Sequence, residues 1–350
     1  MVWHRKCIRA QVIHRSDETL KAAFSSVSSG TFCQSGKVFG PSPQNEKGDL
    51  IFCIIFVRIL PKNVYKRIKS TLSDVGISFF WHHIIPNVKI ELKTDAETYE
   101  LLGKESAILI ANHRHALDIA MVYMLNQFFG SFSNTLSLSK SSIKYHPIYG
   151  WLSWISSRVI FLQRDWKKDS LTLKTAVEVV KRSYRPWWFI VFPEGTRMTP
   201  QKLLAAREYA ASQSLHVPKN VLIPRTKGFV SIVKYSREYF QAIYDLTLIV
   251  PRGSPPLTIT NVLKGEKITI NIHVKRYLMK VLPKSDENVA LWCRQRFSDK
   301  DAFLDQYDEN GANNCEISRT IRNKKLIHVF VVWTSLILQV SIMVYYLYFS

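Results

Sequence analysis

The stretch Ala107-Ile108-Leu109-Ile110-Ala111-Asn112-His113-Arg114-His115-Ala116-Leu117-Asp118 decides the fold. Its first five residues form a short continuous apolar run, the pattern of a strand buried on both faces. A histidine and an aspartate follow at an offset of five. On an ideal helix that offset turns by about 500°, so the two side chains would not share a face. They meet only if His113 lies in the loop after the strand and Asp118 opens the next helix. An aspartate on one ring nitrogen would fix the tautomer and leave the other nitrogen as a base. The alternative is a surface histidine near an unrelated helical carboxylate.

A second run, Trp187-Trp188-Phe189-Ile190-Val191-Phe192, repeats the plan and delivers Pro193-Glu194-Gly195-Thr196-Arg197. Gly195 permits a sharp turn and a close backbone approach. Arg197 offers a planar fork of donors suited to phosphate. Glu194 is placed to hold Arg197 or to contact substrate hydroxyls. A turn whose charges are merely solvated is the competing reading. Two more strand-like runs end in cations: Phe161-Leu162-Gln163-Arg164-Asp165-Trp166, and Val221-Leu222-Ile223-Pro224-Arg225-Thr226-Lys227-Gly228. Lys140 and Lys144 follow the run at Thr135. Each cation alone reads as solvated. Together they make an anion funnel, because ligands of open α/β sheets gather outside strand carboxyl ends.

Around these motifs strand and helix patterns alternate. Strands are expected at 88–92, 107–111, 135–138, 158–162, 187–192, 221–223, 246–250 and 268–274. Helices are expected at 119–129, 141–156, 170–183, from Thr199-Pro200 onward, and at 289–304. Thr199 is the N-cap of its helix and Pro200 its first residue. This alternation predicts an α/β fold: a mostly parallel or mixed central sheet flanked by helices.

Composition narrows the partners. With 48 Lys and Arg against 27 Asp and Glu, the chain carries +21, which attracts anionic surfaces and phosphorylated substrates. A merely basic soluble surface is the bland alternative. No helix-turn-helix, zinc or RNA-binding signature accompanies the charge, so nucleic acid is not expected as a partner. The five cysteines (Cys7, Cys33, Cys53, Cys293, Cys315) are scattered without metal-type spacing, which predicts reduced thiols and no zinc. A metal held by His113 and His115 lacks a third ligand of suitable spacing.

Leu326 to Phe349 contains no Asp, Glu, Lys or Arg. As a helix it would run roughly 36 Å, enough to cross a hydrocarbon core of about 30 Å. Arg319, Arg322, Lys324 and Lys325 precede it, so the basic flank and the region before it are expected on the cytosolic side. Residues 1–48 read as a poorly ordered basic extension, Ser-rich as transit peptides are but carrying Asp17, Glu18 and Glu46. Residues 49–86 read as an interfacial, membrane-associated helical segment. The remainder divides into a catalytic domain at 87–310, a basic linker at 311–325 and a transmembrane helix at 326–349.

The ordered set NHRHALD, FLQRDW, FPEGTR and VLIPRTKG resembles the four motifs of glycerolipid acyltransferases. Lys202-Leu203-Leu204-Ala205-Ala206, Glu208-Tyr209-Ala210 and Asn220 through Val230 are similar to the plant endomembrane type of 1-acyl-sn-glycerol-3-phosphate acyltransferase. The resemblance implies His113 as general base and Asp118 as its orienter. It implies lysophosphatidic acid as acceptor, acyl-CoA as co-substrate, and no cofactor, metal or covalent intermediate. Arg164, Glu194, Gly195 and Arg197 would form the acceptor site and Pro224 would shape the acyl-CoA side, with Thr196, Arg225 and Lys227 as further substrate-binding residues. It also implies a lipid bilayer as partner and the endoplasmic reticulum membrane as location, while the basic extension permits a plastid envelope. Relatives of this type commonly carry a small polar residue and an acid where His115 and Ala116 stand, which leaves the acceptor open. The same chemistry on glycerol-3-phosphate or another lysophospholipid, and a non-catalytic basic lipid-binding protein, are the alternatives.

Overall fold

The computed structural model of the chain describes residues 85–130, 134–146, 150, 153, 158–181, 186–307 and 315–321. Its strands are β1 (Val88–Thr94), β2 (Ala107–Ala111), β3 (Thr135–Lys140), β4 (Val159–Leu162), β5 (Trp188–Val191), β6 (Ala242–Ile249), β7 (Ile268–Leu278) and β8 (Ile317–Ile321). The helices are α1 (Ala96–Leu101), α2 (Asp118–Phe128), α3 (Trp166–Lys181), α4 (Pro200–Ser212), α5 (Thr226–Ser236), α6 (Ile259–Leu263) and α7 (Asp286–Asp305). The eight strands form one sheet in the order β4-β3-β5-β2-β6-β7-β1-β8. The first five run parallel. β7 is antiparallel to β6, β1 is parallel to β7, and β8 is antiparallel to β1. The sheet is therefore mixed, with a parallel half that carries the motifs.

Every residue of β2, β5 and β6 is buried, as central strands covered on both faces must be. The period of two divides them between two cores. Leu109, Ala111, Trp188 and Ile190 pack with Met121, Val122 and Leu125 of α2. Ile108, Ile110, Phe189 and Val191 pack with Leu173 and Val177 of α3, Phe229 and Ile232 of α5, and Cys293 and Phe297 of α7. Asn112 extends the β2 ladder with its side chain: its Nδ2 donates to the Leu248 carbonyl at 3.0 Å, and its Oδ1 accepts from the Leu248 N–H at 2.8 Å. The exit of β2 is thereby fastened to β6.

Four elements differ from, or add to, what the sequence predicts. Val221–Ile223 is not a strand. The N–H of Val221 goes to an Asp301 carboxylate oxygen and that of Leu222 to Glu194, so side-chain acceptors replace a neighbouring strand. The helix expected over 141–156 begins as a 3-10 turn at Ser141–Tyr145, while Gly150 and Ser153, the other described residues of its second half, are helical. Thr226–Ser236, unassigned from sequence, is helical, with Phe229, Ile232 and Val233 on its buried side. The stretch read as a linker contributes β8, which pairs along the edge of β1.

Among the described residues no helix is long and apolar enough to cross a membrane. The expected span at 326–349, the extension at 1–48, and the interfacial segment apart from Ile85 and Pro86 lie outside the described residues.

One buried ion pair locks α7 to the sheet. Lys300 Nζ lies 2.6 Å from Asp245 Oδ1 and donates to the Leu246 carbonyl at 2.7 Å, with the two side chains 1% and 8% exposed. Removing one partner strands a buried charge. Lys300→Met should therefore destabilise the protein by about 3–5 kcal/mol, while Lys300→Met with Asp245→Asn should recover most of that loss. Urea unfolding of the detergent-held protein reads both; equal losses in the single and double variants would contradict the pairing.

Candidate active site

His113 leaves β2 in a short loop, and Asp118 is the first residue of α2, where a helix N-terminus favours a carboxylate. His113 Nδ1 and Asp118 Oδ2 are 2.9 Å apart. The same carboxylate oxygen accepts the His115 N–H at 2.7 Å. Asp118 is 1% exposed, whereas the His113 side chain is 22% exposed. An ionised aspartate only accepts, so it takes the Nδ1–H and leaves Nε2 as the free basic atom. Phe192 lies against the imidazole at 4.6 Å between ring centroids, limiting its rotation.

The loop is held from beneath by Glu194. The His113 N–H donates to Glu194 Oε1 at 2.8 Å, and the Leu222 N–H donates to Oε2 at 3.3 Å. The Met198 N–H donates to the His113 carbonyl at 2.8 Å, and the Arg225 N–H to the Pro193 carbonyl at 2.7 Å. Three separate motifs thus meet on one carboxyl and its flanking backbone. This corrects the expected role of Glu194. Its side chain is 1% exposed and makes no ion pair with Arg197; it braces the loop from inside.

Gly195 does what its φ of +67° requires, turning the chain where an L side chain is strained. An added Cβ would also come within 3.1 Å of the Arg225 Cδ atom. The turn is pinned by Lys202, whose Nζ donates to Thr196 Oγ1 at 2.6 Å and to the Arg197 carbonyl at 3.1 Å. Thr199 caps α4 through its side chain, with Pro200 at the helix start, as the sequence indicates.

Arg197 is exposed after β5, Arg225 at the N-cap of α5 and Lys227 in the first turn of α5. Arg164 is exposed after β4, with the left-handed φ of +65° rare for a residue with a side chain. Asp169 holds that turn by accepting the Gln163 N–H at 2.9 Å. Leu162 is level with Lys140, three residues beyond Ser137, which is level with Ile190. Arg164 therefore emerges on the same sheet edge as Arg197. None of these four cations pairs with a carboxylate among the described residues. Pro224 is buried beside Leu222 and Ile223, facing Phe297 and Arg294 of α7 across a small cleft. Among the described residues no group of three or more His, Cys, Asp or Glu gathers as a metal site.

Sequence reasoning missed the ring partner Phe192 and the Asn112 clamp, and it missed Asp301 altogether. That carboxylate, 1% exposed, accepts the N–H groups of Lys219, Asn220 and Val221 and faces His216 Nε2 at 2.9 Å. Nothing local in α7 marks an aspartate as the anchor of a loop some 80 positions earlier. The Asn112 role was open to a signal, since a buried polar residue at the end of an all-apolar strand must find backbone partners.

Burial pushes the Glu194 carboxyl from its ordinary 4.5 up to about 8, against the pull of the two N–H donors and of Lys300. Burial likewise lowers His115, with the Asp118 charge opposing. A raised folded-state pKa means the folded protein holds the proton more tightly than the unfolded chain. The stability from Glu194 is then full below 4.5 and is lost as pH rises towards about 8. Wild-type protein should lose unfolding free energy between about pH 5 and pH 8 more steeply than Glu194→Gln, by up to about 1.4 kcal/mol per pH unit. Urea titrations across that range check this; parallel slopes would contradict it.

Comparison with known proteins agrees with the geometry. A family model described as acyltransferase matches residues 87–250, and one described as acyltransferase C-terminus matches 261–333. The chain is 42% identical over 261 residues to 1-acyl-sn-glycerol-3-phosphate acyltransferase 2 of Arabidopsis thaliana, covering 73% of this chain and 66% of that protein. It is 38% identical over 291 residues to 1-acyl-sn-glycerol-3-phosphate acyltransferase 3 of the same plant, covering 81% and 76%. To 1-acyl-sn-glycerol-3-phosphate acyltransferase delta of Homo sapiens it is 32% identical over 218 residues, covering 62% and 57%. The chain thus spans about two thirds of the length of the first of these relatives. A histidine seated on a buried aspartate at the mouth of the sheet's parallel half, and likeness that runs through the whole of that mixed sheet, lead to one statement: the chain belongs to the acyltransferase family that includes the plant 1-acyl-sn-glycerol-3-phosphate acyltransferases.

Proposed function

We propose that the protein transfers the acyl group of acyl-CoA to the sn-2 hydroxyl of 1-acyl-sn-glycerol-3-phosphate, giving phosphatidic acid and CoA. The observation that carries the reading is the 2.9 Å His113–Asp118 contact on an edge that also presents Arg164, Arg197, Arg225 and Lys227. The acceptor has its phosphate only a few bonds from the hydroxyl that must lose a proton. A base with cations close by suits that arrangement.

In the proposed reaction His113 Nε2 takes the hydroxyl proton as the oxygen attacks the thioester carbonyl. The tetrahedral intermediate collapses with cleavage of the C–S bond, and the proton passes from the imidazolium to the CoA thiolate. Asp118 stabilises the imidazolium and holds its orientation. General-base assistance of this kind contributes about 10²–10⁴-fold, and holding two lipids in register contributes further. Arg197 and Arg164 take the acceptor phosphate. Membrane attachment through 326–349, with the sheet on the cytosolic face of the endoplasmic reticulum, would serve phospholipid synthesis. The apolar composition of that stretch and the charge of +21 support it.

Purified protein in detergent or liposomes should form phosphatidic acid from lysophosphatidic acid and acyl-CoA. His113→Ala and Asp118→Asn should each lower kcat by about 10²–10⁴-fold without loss of fold. Turnover only on glycerol-3-phosphate or another lysophospholipid would move the acceptor assignment. Liposome binding with no turnover on any acceptor would replace catalysis with lipid binding, and full activity in His113→Ala would overturn the mechanism.

A further inference from the structure

On the other flank of His113 lies a second cationic feature. Pro251, Arg252, Gly253, Ser254, Lys267, Thr269 and Asn271 line a cleft of about 440 Å³, within the size range of small-ligand sites. It forms where β6 ends and β7 begins, and those ends lie on the same sheet edge as the exit of β2. The walls are built. Ser254 Oγ accepts the Thr269 N–H at 2.9 Å, tying the segment after β6 to β7, and Asn271 donates to the Tyr307 hydroxyl at 2.6 Å. Gly253 has a φ of +85°, and no atom lies within 4 Å of where its Cβ would stand, so the backbone is open to a ligand. Arg252 and Lys267 are exposed. Many other cations pair with acids, as Lys219 does with Asp305 and Lys234 with Asp286. Arg252 and Lys267 pair with none among the described residues.

Resting on the acyl-CoA reading above, we infer that this cleft takes the phosphates of the CoA donor, leaving the Arg164 and Arg197 flank to the acceptor. Three observations select that ligand. The strand order places Arg164 and Arg197 on one side of β2 and the cleft on the other, so His113 lies between two cationic regions. Ala111 is level with Leu246, and Asn271 with Ile249. His113 lies two residues past Ala111, so the lining residue Thr269 is about three residues along and two strand spacings across, roughly 10–15 Å from it. The acceptor phosphate, bonded close to the reacting oxygen, cannot lie so far away. The CoA phosphates, held off from the thioester by the pantetheine arm, must. The lining itself is polar apart from Pro251, which suits phosphate and nucleotide and not an acyl chain.

The test combines kinetics with direct binding on the full chain in detergent. Arg252→Ala with Lys267→Ala should raise KM for acyl-CoA at least about tenfold, with kcat and the KM for lysophosphatidic acid within about twofold of wild type. Acyl-pantetheine, which lacks the phosphates, should be used equally by both proteins. Calorimetry with CoA and with 3′,5′-ADP should show wild-type binding that the double variant loses. An unchanged KM for acyl-CoA, or a raised KM for lysophosphatidic acid in its place, would overturn the inference while leaving the acyltransferase reading intact. If wild type shows no turnover, that reading fails instead. The calorimetry then decides alone, and no CoA binding, or equal binding by both proteins, overturns the inference.

Discussion

Two backbone N–H groups from distant parts of the chain, those of His113 and Leu222, meet on the buried carboxyl of Glu194. The geometry of the His113 loop depends on that junction. It sets the height of the His113 loop above the sheet, and the ring then finds Asp118 on one side and Phe192 on the other. A carboxyl so deeply buried is costly in ionised form, which is why its affinity for a proton rises. The N–H donors and Lys300 offset part of that cost. The brace is thus kept where it fixes position.

The brace is itself supported. Lys300 and Asp301 are neighbours on α7 and point to different partners. Lys300 reaches Asp245 and the Leu246 carbonyl in β6, while Asp301 gathers the N–H groups of Lys219, Asn220 and Val221. Through that loop α7 controls Leu222, and through Leu222 it controls Glu194. The Asn112 clamp fixes the other side of the His113 loop to the same strand β6. Sheet, helix and loop thereby act on one imidazole from several directions, so its position does not rest on its own short loop alone.

Part of this is legible in the sequence because local physics determines it. The short apolar run Ala107–Ala111 has the pattern of a buried strand. The five-residue offset from His113 to Asp118 then requires a loop and a helix start, which is what β2 and α2 provide. Thr199-Pro200 announces α4 in the same way. What is not legible depends on partners far away. Val221–Ile223 has the composition of a strand, yet carboxylates from positions 194 and 301 take its amides. Glu194, beside Gly195 and Arg197, reads as a surface group until the tertiary fold turns it inward. The edge strand β8 carries charge and polar residues suited to solvent, and so reads as linker until it meets β1.

If Glu194 is a brace and not a ligand for the acceptor, its removal should disturb chemistry more than binding. The direct measurement is steady-state kinetics of Glu194→Ala with lysophosphatidic acid varied at saturating acyl-CoA. A displaced His113 should lower kcat by about 10²-fold and leave KM for the acceptor within about threefold of wild type. A large rise in that KM with kcat preserved would place the carboxyl on the substrate and contradict the account.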